Sequence, residues 1–222
     1  MARQRRGRRL RSRGAGGRYQ ACGRSEMQYE PGSNQRVLRN LLGIRSIREI
    51  TRIERSELVR TTEWAARCYT LDHCFSSGDI RGMHKTWLGD IYAWAGEYRQ
   101  VNISKGGFLF AAAGHIPRLM DELEADSLAR HTPLTDRCGN IALALAETHT
   151  ELLLIHPFRE GNGRMARLLA SLMASQAGIE LPDFETLLQH RSAEYFAAVR
   201  AGLDRNYEPM RRMFASIIDG DD

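Results

Sequence analysis

Two apolar, helix-forming runs in this chain meet at a loop that no helix can cross. The first runs from Ile141-Ala142-Leu143-Ala144-Leu145-Ala146-Glu147 to Leu152-Leu153-Leu154-Ile155, and the second from Met165 to Ala177, rich in Leu, Met and Ala. Between them lies His156-Pro157-Phe158-Arg159-Glu160-Gly161-Asn162-Gly163-Arg164. Pro157 ends the first helix, because proline lacks an amide donor and disfavours helical backbone in the residue before it. Gly161 and Gly163 let the backbone turn tightly and come close to a ligand. The second helix therefore starts with free N–H groups around Gly163, a natural anion site, and Asn162 is of a good N-cap type for that start.

The chemistry of the loop is unusual for a packing element. Arg164 and Arg167 flank the helix start and suit a polyphosphate, since guanidinium groups grip phosphate oxygens in a bidentate fork. Glu160 is a lone acid among these cations, poorly suited to touch phosphate and well suited to hold Mg²⁺, which is often bound by one carboxylate plus phosphates. A neutral His156 at the rim could take a proton from an incoming hydroxyl, a service typically worth about 10²–10⁴ in rate. Each feature has a plainer reading: a lone histidine is usually structural, G-x-G at a helix start is common, and helix arginines are usually solvated. No Walker pattern occurs. Gathered within the twelve positions from His156 to Arg167, the features resist explanation as core packing.

That run resembles the Fic-domain signature H-x-F-x-[D/E]-G-N-G-R-x-x-R, matching it at every fixed position from His156 to Arg167. The resemblance implies an all-α, compact helical domain with one short β-hairpin flap, and transfer of AMP from ATP to a hydroxyl side chain of a target protein. In that analogy His156 is the base and Glu160 holds Mg²⁺ between the α- and β-phosphates. Gly161, Asn162 and Gly163 line the anion nest, Arg164 and Arg167 hold the outer phosphates, and Phe158 locks the loop from the core side. Related kinases of the family carry Lys-Arg where this chain has Gly163-Arg164, which argues against phosphorylation here. Transfer of UMP, phosphoryl or phosphocholine is the nearest alternative. A more distant one is a non-catalytic helical binding module that uses the loop as a simple anion site.

Other segments extend the resemblance over about residues 28–218. Tyr29-Glu30-Pro31-Gly32 precedes Val37-Leu38-Arg39-Asn40-Leu41-Leu42-Gly43-Ile44, similar to the family's entry segment. Ser46-Ile47-Arg48-Glu49 reads as a capping box, followed by Ile47, Ile50, Ile53, Leu58 and Trp64 at roughly helical spacing. A second long helix is expected from Asp79 to a C′ glycine at Gly96, with Ile80, His84, Trp87, Ile91 and Trp94 on one stripe. His84 on that stripe reads as packed rather than catalytic. Tyr92-Ala93-Trp94-Ala95-Gly96-Glu97-Tyr98-Arg99 is similar to a second family segment. Val101–Ser104 and Phe108–Phe110 alternate around a turn at Lys105, Gly106 and Gly107, a hairpin signal. A lone hairpin is marginal in water and must lean on something. It is either a plain connector or, by the resemblance, the flap that aligns the target's side chain by strand pairing. Ile116, Leu119, Met120 and Leu123 mark an amphipathic helix, and Ser192 to Leu203 another. The last helix begins near Asn206-Tyr207-Glu208-Pro209 with Met210, Met213, Phe214 and Ile217 on one face. That entry resembles a family segment near the nucleotide base, which makes Tyr207 a base contact or simply part of the core.

Composition matters mainly for what surrounds this domain. The formal charge of the 222 residues is +5, but residues 1–26 hold nine arginines against the single acid Glu26, so the remainder carries −3. Residues 1–26 are expected to be a disordered basic arm that could bind nucleic acid, or a misplaced start ahead of a domain spanning 27–222 from Met27. No run of about 18 apolar residues suggests a membrane span. The four cysteines, Cys22, Cys68, Cys74 and Cys138, lack C-x-x-C spacing and read as free thiols in a cytoplasmic protein, with a zinc site at Cys68/His73/Cys74 a remote alternative. Many Fic proteins carry an inhibitory [ST]-x-x-x-E-[GN] helix whose glutamate pairs with the second arginine, here Arg167. This sequence has no such match, so the expectation is a competent enzyme restrained, if at all, by a separate antitoxin-like partner. The ATPase subunits of type II topoisomerases are targets by analogy with compact bacterial relatives.

Overall fold

The computed structural model describes residues 28–135, 140–181 and 184–220. The basic arm, Met27, Cys22, Cys138 and Pro182 lie outside them. The described chain is helical with one short hairpin. Its helices are α1 (Ile47–Cys68), α2 (Ser77–Leu88), α3 (Ile116–Glu122), the short α4 (Ala129–His131), α5 (Ile141–Ile155), α6 (Asn162–Gln176), α7 (Phe184–Ala201) and α8 (Glu208–Asp219). A π-type turn, Leu123–Leu128, joins α3 to α4. None of the described helices is long and apolar enough to cross a membrane.

Helix α5 is the axis. Leu145, Leu152, Leu153 and Ile155 are buried, and so are the polar Thr148, His149 and Thr150 on its other sides. A helix buried all round needs neighbours all round, and α5 packs against α3, α6, α7, α8 and the π-type turn. Asn140 caps its start by accepting the Leu143 amide at 2.9 Å. Met210, Met213, Phe214 and Ile217 of α8 are all buried, the face expected from their spacing.

Three expectations need correction. The full reciprocal capping box forms at α2, where Ser76 Oγ accepts the Asp79 amide at 3.1 Å and Asp79 Oδ2 accepts the Ser76 amide at 2.9 Å; at α1, Ser46 caps through a single 3.4 Å contact from the Glu49 amide. Helix α2 stops at Leu88, with Gly89 as its cap, instead of running to Gly96. The chain turns back so that Ile91, Tyr92 and Ala95 enter the core beside Trp87, which keeps the apolar stripe going after the helix has ended. Helix α7 begins at Phe184 and is broken at Arg191 (φ −120°, ψ 26°), so the expected Ser192–Leu203 helix is its second part and the turn after it.

The hairpin consists of β1 (Ser104–Lys105) and β2 (Phe108–Leu109), antiparallel with Lys105 opposite Phe108. Lys105 is therefore a strand residue. Gly106 and Gly107 alone make the turn, both at positive φ (56° and 80°), as a two-residue hairpin loop requires.

Candidate active site

Helix α5 ends on its own histidine. His156 takes the left-handed conformation (φ 53°, ψ 59°) as the C-cap, a backbone state costing about 1–3 kcal/mol outside glycine. Neighbours hold it there. Its amide donates to the Leu152 carbonyl at 3.0 Å, and its carbonyl accepts Arg99 Nε at 2.8 Å. The ring stacks on Phe110 of the hairpin, centroids 3.7 Å apart. His156 Nδ1 lies 3.1 Å from the Leu153 carbonyl. A carbonyl only accepts, so Nδ1 carries the hydrogen and Nε2 bears the lone pair. Burial, the largest influence, lowers the ring's pKa to about 4. At neutral pH it is an uncharged base with a fixed tautomer.

The loop beyond Pro157 is held from both sides. Asn162 is the first residue of α6, and its cap is Gly161 at φ +85°. Asn162 thus does not cap the helix by its side chain. Its amide clasps Phe158 instead, Oδ1 accepting the Phe158 amide and Nδ2 donating to the Phe158 carbonyl, both at 2.8 Å. Those two groups are buried, and one carboxamide supplies both an acceptor and a donor. Because Gly161 offers no side chain, no side chain caps α6, and its first backbone bond is from the Met165 amide to the Gly161 carbonyl at 2.9 Å. Phe158 is fully buried and stacks on His84 at 3.8 Å between centroids. His84 is packed as its stripe implies, and it also bridges: Nδ1 accepts the Gly96 amide at 2.9 Å and Nε2 donates to the Glu160 carbonyl at 3.1 Å.

Charged groups gather at the start of α6. The half-exposed Glu160 accepts the Gly161 amide at 2.9 Å and lies 3.5 Å from Arg164 Nη2. Arg164 is paired with Glu54 of α1 at 2.8 Å and lies over the Trp87 ring at 4.6 Å. Arg167 reaches back along the helix, so that a Cβ on Gly163 would sit 3.4 Å from its Nη1. Its positive charge favours the ionised form of the Tyr195 hydroxyl, against the burial that raises that group's pKa to about 12, and the hydroxyl bonds His149 Nε2 at 2.7 Å.

On the hairpin, Lys105 sits over the Phe196 ring of α7 at 5.6 Å, and its charge adds to the lowering of the His156 pKa. Tyr207 lies apart from this cluster: it bonds Glu151 and packs against the core. It lines a cleft of about 320 Å³ with Leu119, Leu123, Glu151 and Ile155, to which no residue from His156 to Arg167 contributes.

Sequence reasoning quoted Arg99 within a family-like segment without giving it a role, and passed over Glu54. Arg99 donates to the carbonyls of His156 (2.8 Å), Val101 (2.7 Å), Ala111 (2.6 Å) and Ile155 (3.3 Å), tying both ends of the hairpin to the end of α5. No spacing rule marks it. Glu54 is marked only by its burial: Ile50, Glu54, Thr61 and Ala65 are the buried residues of α1, and it is the one charged residue among them.

A model of the Fic/DOC family matches residues 74–174. Among curated proteins, the probable protein adenylyltransferase y4lH of Sinorhizobium fredii is 34% identical over 104 residues, 46% of this chain and 54% of that protein. The protein adenylyltransferase VbhT of Bartonella schoenbuchensis is 33% identical over 153 residues, 65% of this chain and 30% of that one. The chain thus spans about half the length of the first relative and under a third of the second. Among solved structures, the BepC protein of Bartonella tribocorum with bound AMPPNP superposes with a TM-score of 0.66, at 20% identity, over 86% of this chain and 95% of that one. At that identity the likeness is one of fold.

Proposed function

The chain belongs to the Fic/DOC family through residues 74–174, and from that premise we propose that it is a protein adenylyltransferase, transferring AMP from ATP to a Tyr, Thr or Ser hydroxyl of a target protein. The observation that carries the reading is the pinned tautomer of His156, whose Nδ1–H is committed to the Leu153 carbonyl at 3.1 Å. Nε2 is then the acceptor for a hydroxyl proton. The hydroxyl oxygen bonds to the α-phosphorus, the bond from that phosphorus to the bridging oxygen breaks, and pyrophosphate leaves.

The remaining groups position and neutralise. The uncapped first turn of α6 receives phosphate oxygens through its amides, and Arg164 and Arg167 take the outer phosphates. Preorganised donors of this kind commonly supply the largest share of such a rate enhancement. Among the described residues no group of three or more acids, histidines or cysteines could hold a metal alone. The half-exposed carboxylate of Glu160 therefore fits Mg²⁺ arriving with the nucleotide, a mode in which one carboxylate and the phosphates share the ion. Bound there, Mg²⁺ would neutralise phosphate charge. The hairpin, with Lys105, Gly106 and Gly107 at its tip, aligns the target segment. The AMPPNP held by BepC supports ATP as the donor.

The test is incubation of the purified chain with Mg²⁺, acceptor proteins and ATP labelled at the α- or γ-phosphate. Label retained from the α-position alone is the expected result. Label from γ alone means a kinase, and label from neither overturns the reading. Type II topoisomerase subunits are the first acceptors to try. The sequence lacks the inhibitory [ST]-x-x-x-E-[GN] pattern, so the chain should act without removal of any segment, and a separate antitoxin should silence it.

A further inference from the structure

Helix α1 lies outside the span that the family model matches, residues 74–174, yet it delivers a buried carboxylate to the arginine at the start of α6. Glu54 is 6% exposed. Its Oε2 accepts Arg164 Nη1 at 2.8 Å, and its Oε1 accepts the Tyr92 hydroxyl at 2.6 Å. The backbone carbonyl of the same residue accepts the Trp87 indole N–H at 2.8 Å. That indole lies 4.6 Å from the Arg164 guanidinium. One planar cation is therefore gripped along an edge by a carboxylate and covered on a face by an aromatic ring, with both holders tied to each other.

An ion pair with a buried carboxylate and a part-buried arginine is a poor device for stability alone, because desolvation offsets much of the attraction. Its stronger effect is on direction. A free arginine must give up rotamer freedom whenever it grips a phosphate, whereas one held in place has already done so, and the saving appears as affinity. We infer that Glu54 is a positioning residue for phosphate binding by Arg164, which makes α1 part of the nucleotide site. The inference rests on the reading of Arg164 as a phosphate contact. The carboxylate also offsets part of the arginine's charge, and the two effects predict opposite outcomes for Glu54→Gln, which removes the charge, keeps an acceptor oxygen for Arg164 and turns its amide donor toward the Tyr92 hydroxyl oxygen.

Calorimetric binding of ATP and of AMP, each with Mg²⁺, to the full chain separates them. Fixing one long side chain is worth about 3- to 10-fold in affinity. Glu54→Ala should weaken ATP binding by roughly that factor and leave AMP binding unchanged, because AMP lacks the outer phosphates. Glu54→Gln should restore ATP affinity to within about twofold of the unaltered chain. Tyr92→Phe, which frees one carboxylate oxygen and is the gentler change should Glu54→Ala fail to fold, should weaken ATP binding by about 2- to 3-fold and spare AMP. The inference is overturned if ATP and AMP affinities fall together, if ATP affinity is unchanged in both Glu54→Ala and Tyr92→Phe, or if Glu54→Gln binds ATP more tightly. An unaltered chain that binds no ATP overturns the adenylyltransferase reading itself.

Discussion

His84 and Glu160 are joined by a 3.1 Å hydrogen bond from a buried imidazole to the loop carbonyl, and the same ring accepts the Gly96 amide at 2.9 Å. One side chain thus fixes the loop's acidic residue against the turn after α2. Replacing it by alanine strands both backbone groups and opens a cavity against Phe158. His84→Ala should lower unfolding free energy by about 2–5 kcal/mol, read from the urea midpoint. His84→Phe keeps the stacking and loses the two bonds, and should fall between alanine and the unaltered chain. If phenylalanine costs nothing, the hydrogen bonds contribute nothing; if it costs as much as alanine, the stacking contributes nothing.

Arg99 makes the flap part of the site. Its guanidinium bonds carbonyls at both flanks of the hairpin, Val101 and Ala111, and the His156 carbonyl at 2.8 Å. Hydrogen bonds to charged groups contribute about 1.5–3 kcal/mol each, and a lysine cannot span the same set. Arg99→Lys should loosen the hairpin before it loosens the domain. Amides from Ser104 to Leu109 should exchange with deuterium faster while those of α5 stay protected. Uniform protection across both segments would refute the coupling.

Gly161 stands where a methyl group has no room. Its φ is +85°, and a Cβ there would come 2.6 Å from Trp87 Cζ3 and 2.9 Å from Cη2. The left-handed backbone alone costs a non-glycine residue about 1–3 kcal/mol. The indole must move as well, and it is the ring beneath Arg164. Gly161→Ala should therefore lower the melting temperature and weaken ATP binding together, with a shift in tryptophan emission. Unchanged emission with intact ATP affinity would show that the contact relaxes elsewhere.

The fold is legible in the sequence wherever burial repeats with a helical period and stops at a breaker. The pair α5 and α6, the break at Pro157 and the buried face of α8 all follow that rule. The reading fails at α2, because Ile91, Tyr92 and Ala95 remain buried after the helix has ended. Periodicity records burial and cannot tell a helix from a turn packed on the same core. Within the candidate site, the sequence names the residues of the loop and misses what holds them. Asn162 looks like a cap and instead closes the loop on Phe158. Glu54 looks like one more acid on a charged helix, and only the approach of Tyr92 and of α6 gives it partners. Such roles depend on contacts between elements distant in sequence, which local pattern does not encode.

Acid should stop the proposed AMP transfer by unfolding the chain before it protonates His156. Burial lowers the pKa of His156 and His84 to about 4 and that of His149 to about 3. For a histidine depressed on folding, the unfolded chain takes up the proton first, near pH 6.5. Stability is therefore complete above that value and is lost as pH falls toward the folded-state values. Each such ring contributes a slope of up to about 1.4 kcal/mol per pH unit, and the three together about 4. Against a typical domain stability of about 5–15 kcal/mol, that slope consumes the margin within two or three units below pH 6.5. AMP transfer should hold from neutrality to below pH 6, then fall more steeply than one proton allows, in step with loss of the far-ultraviolet helical signal. A limb of unit slope centred near pH 6.5, with the helical signal intact, would mean that His156 titrates as an ordinary exposed imidazole.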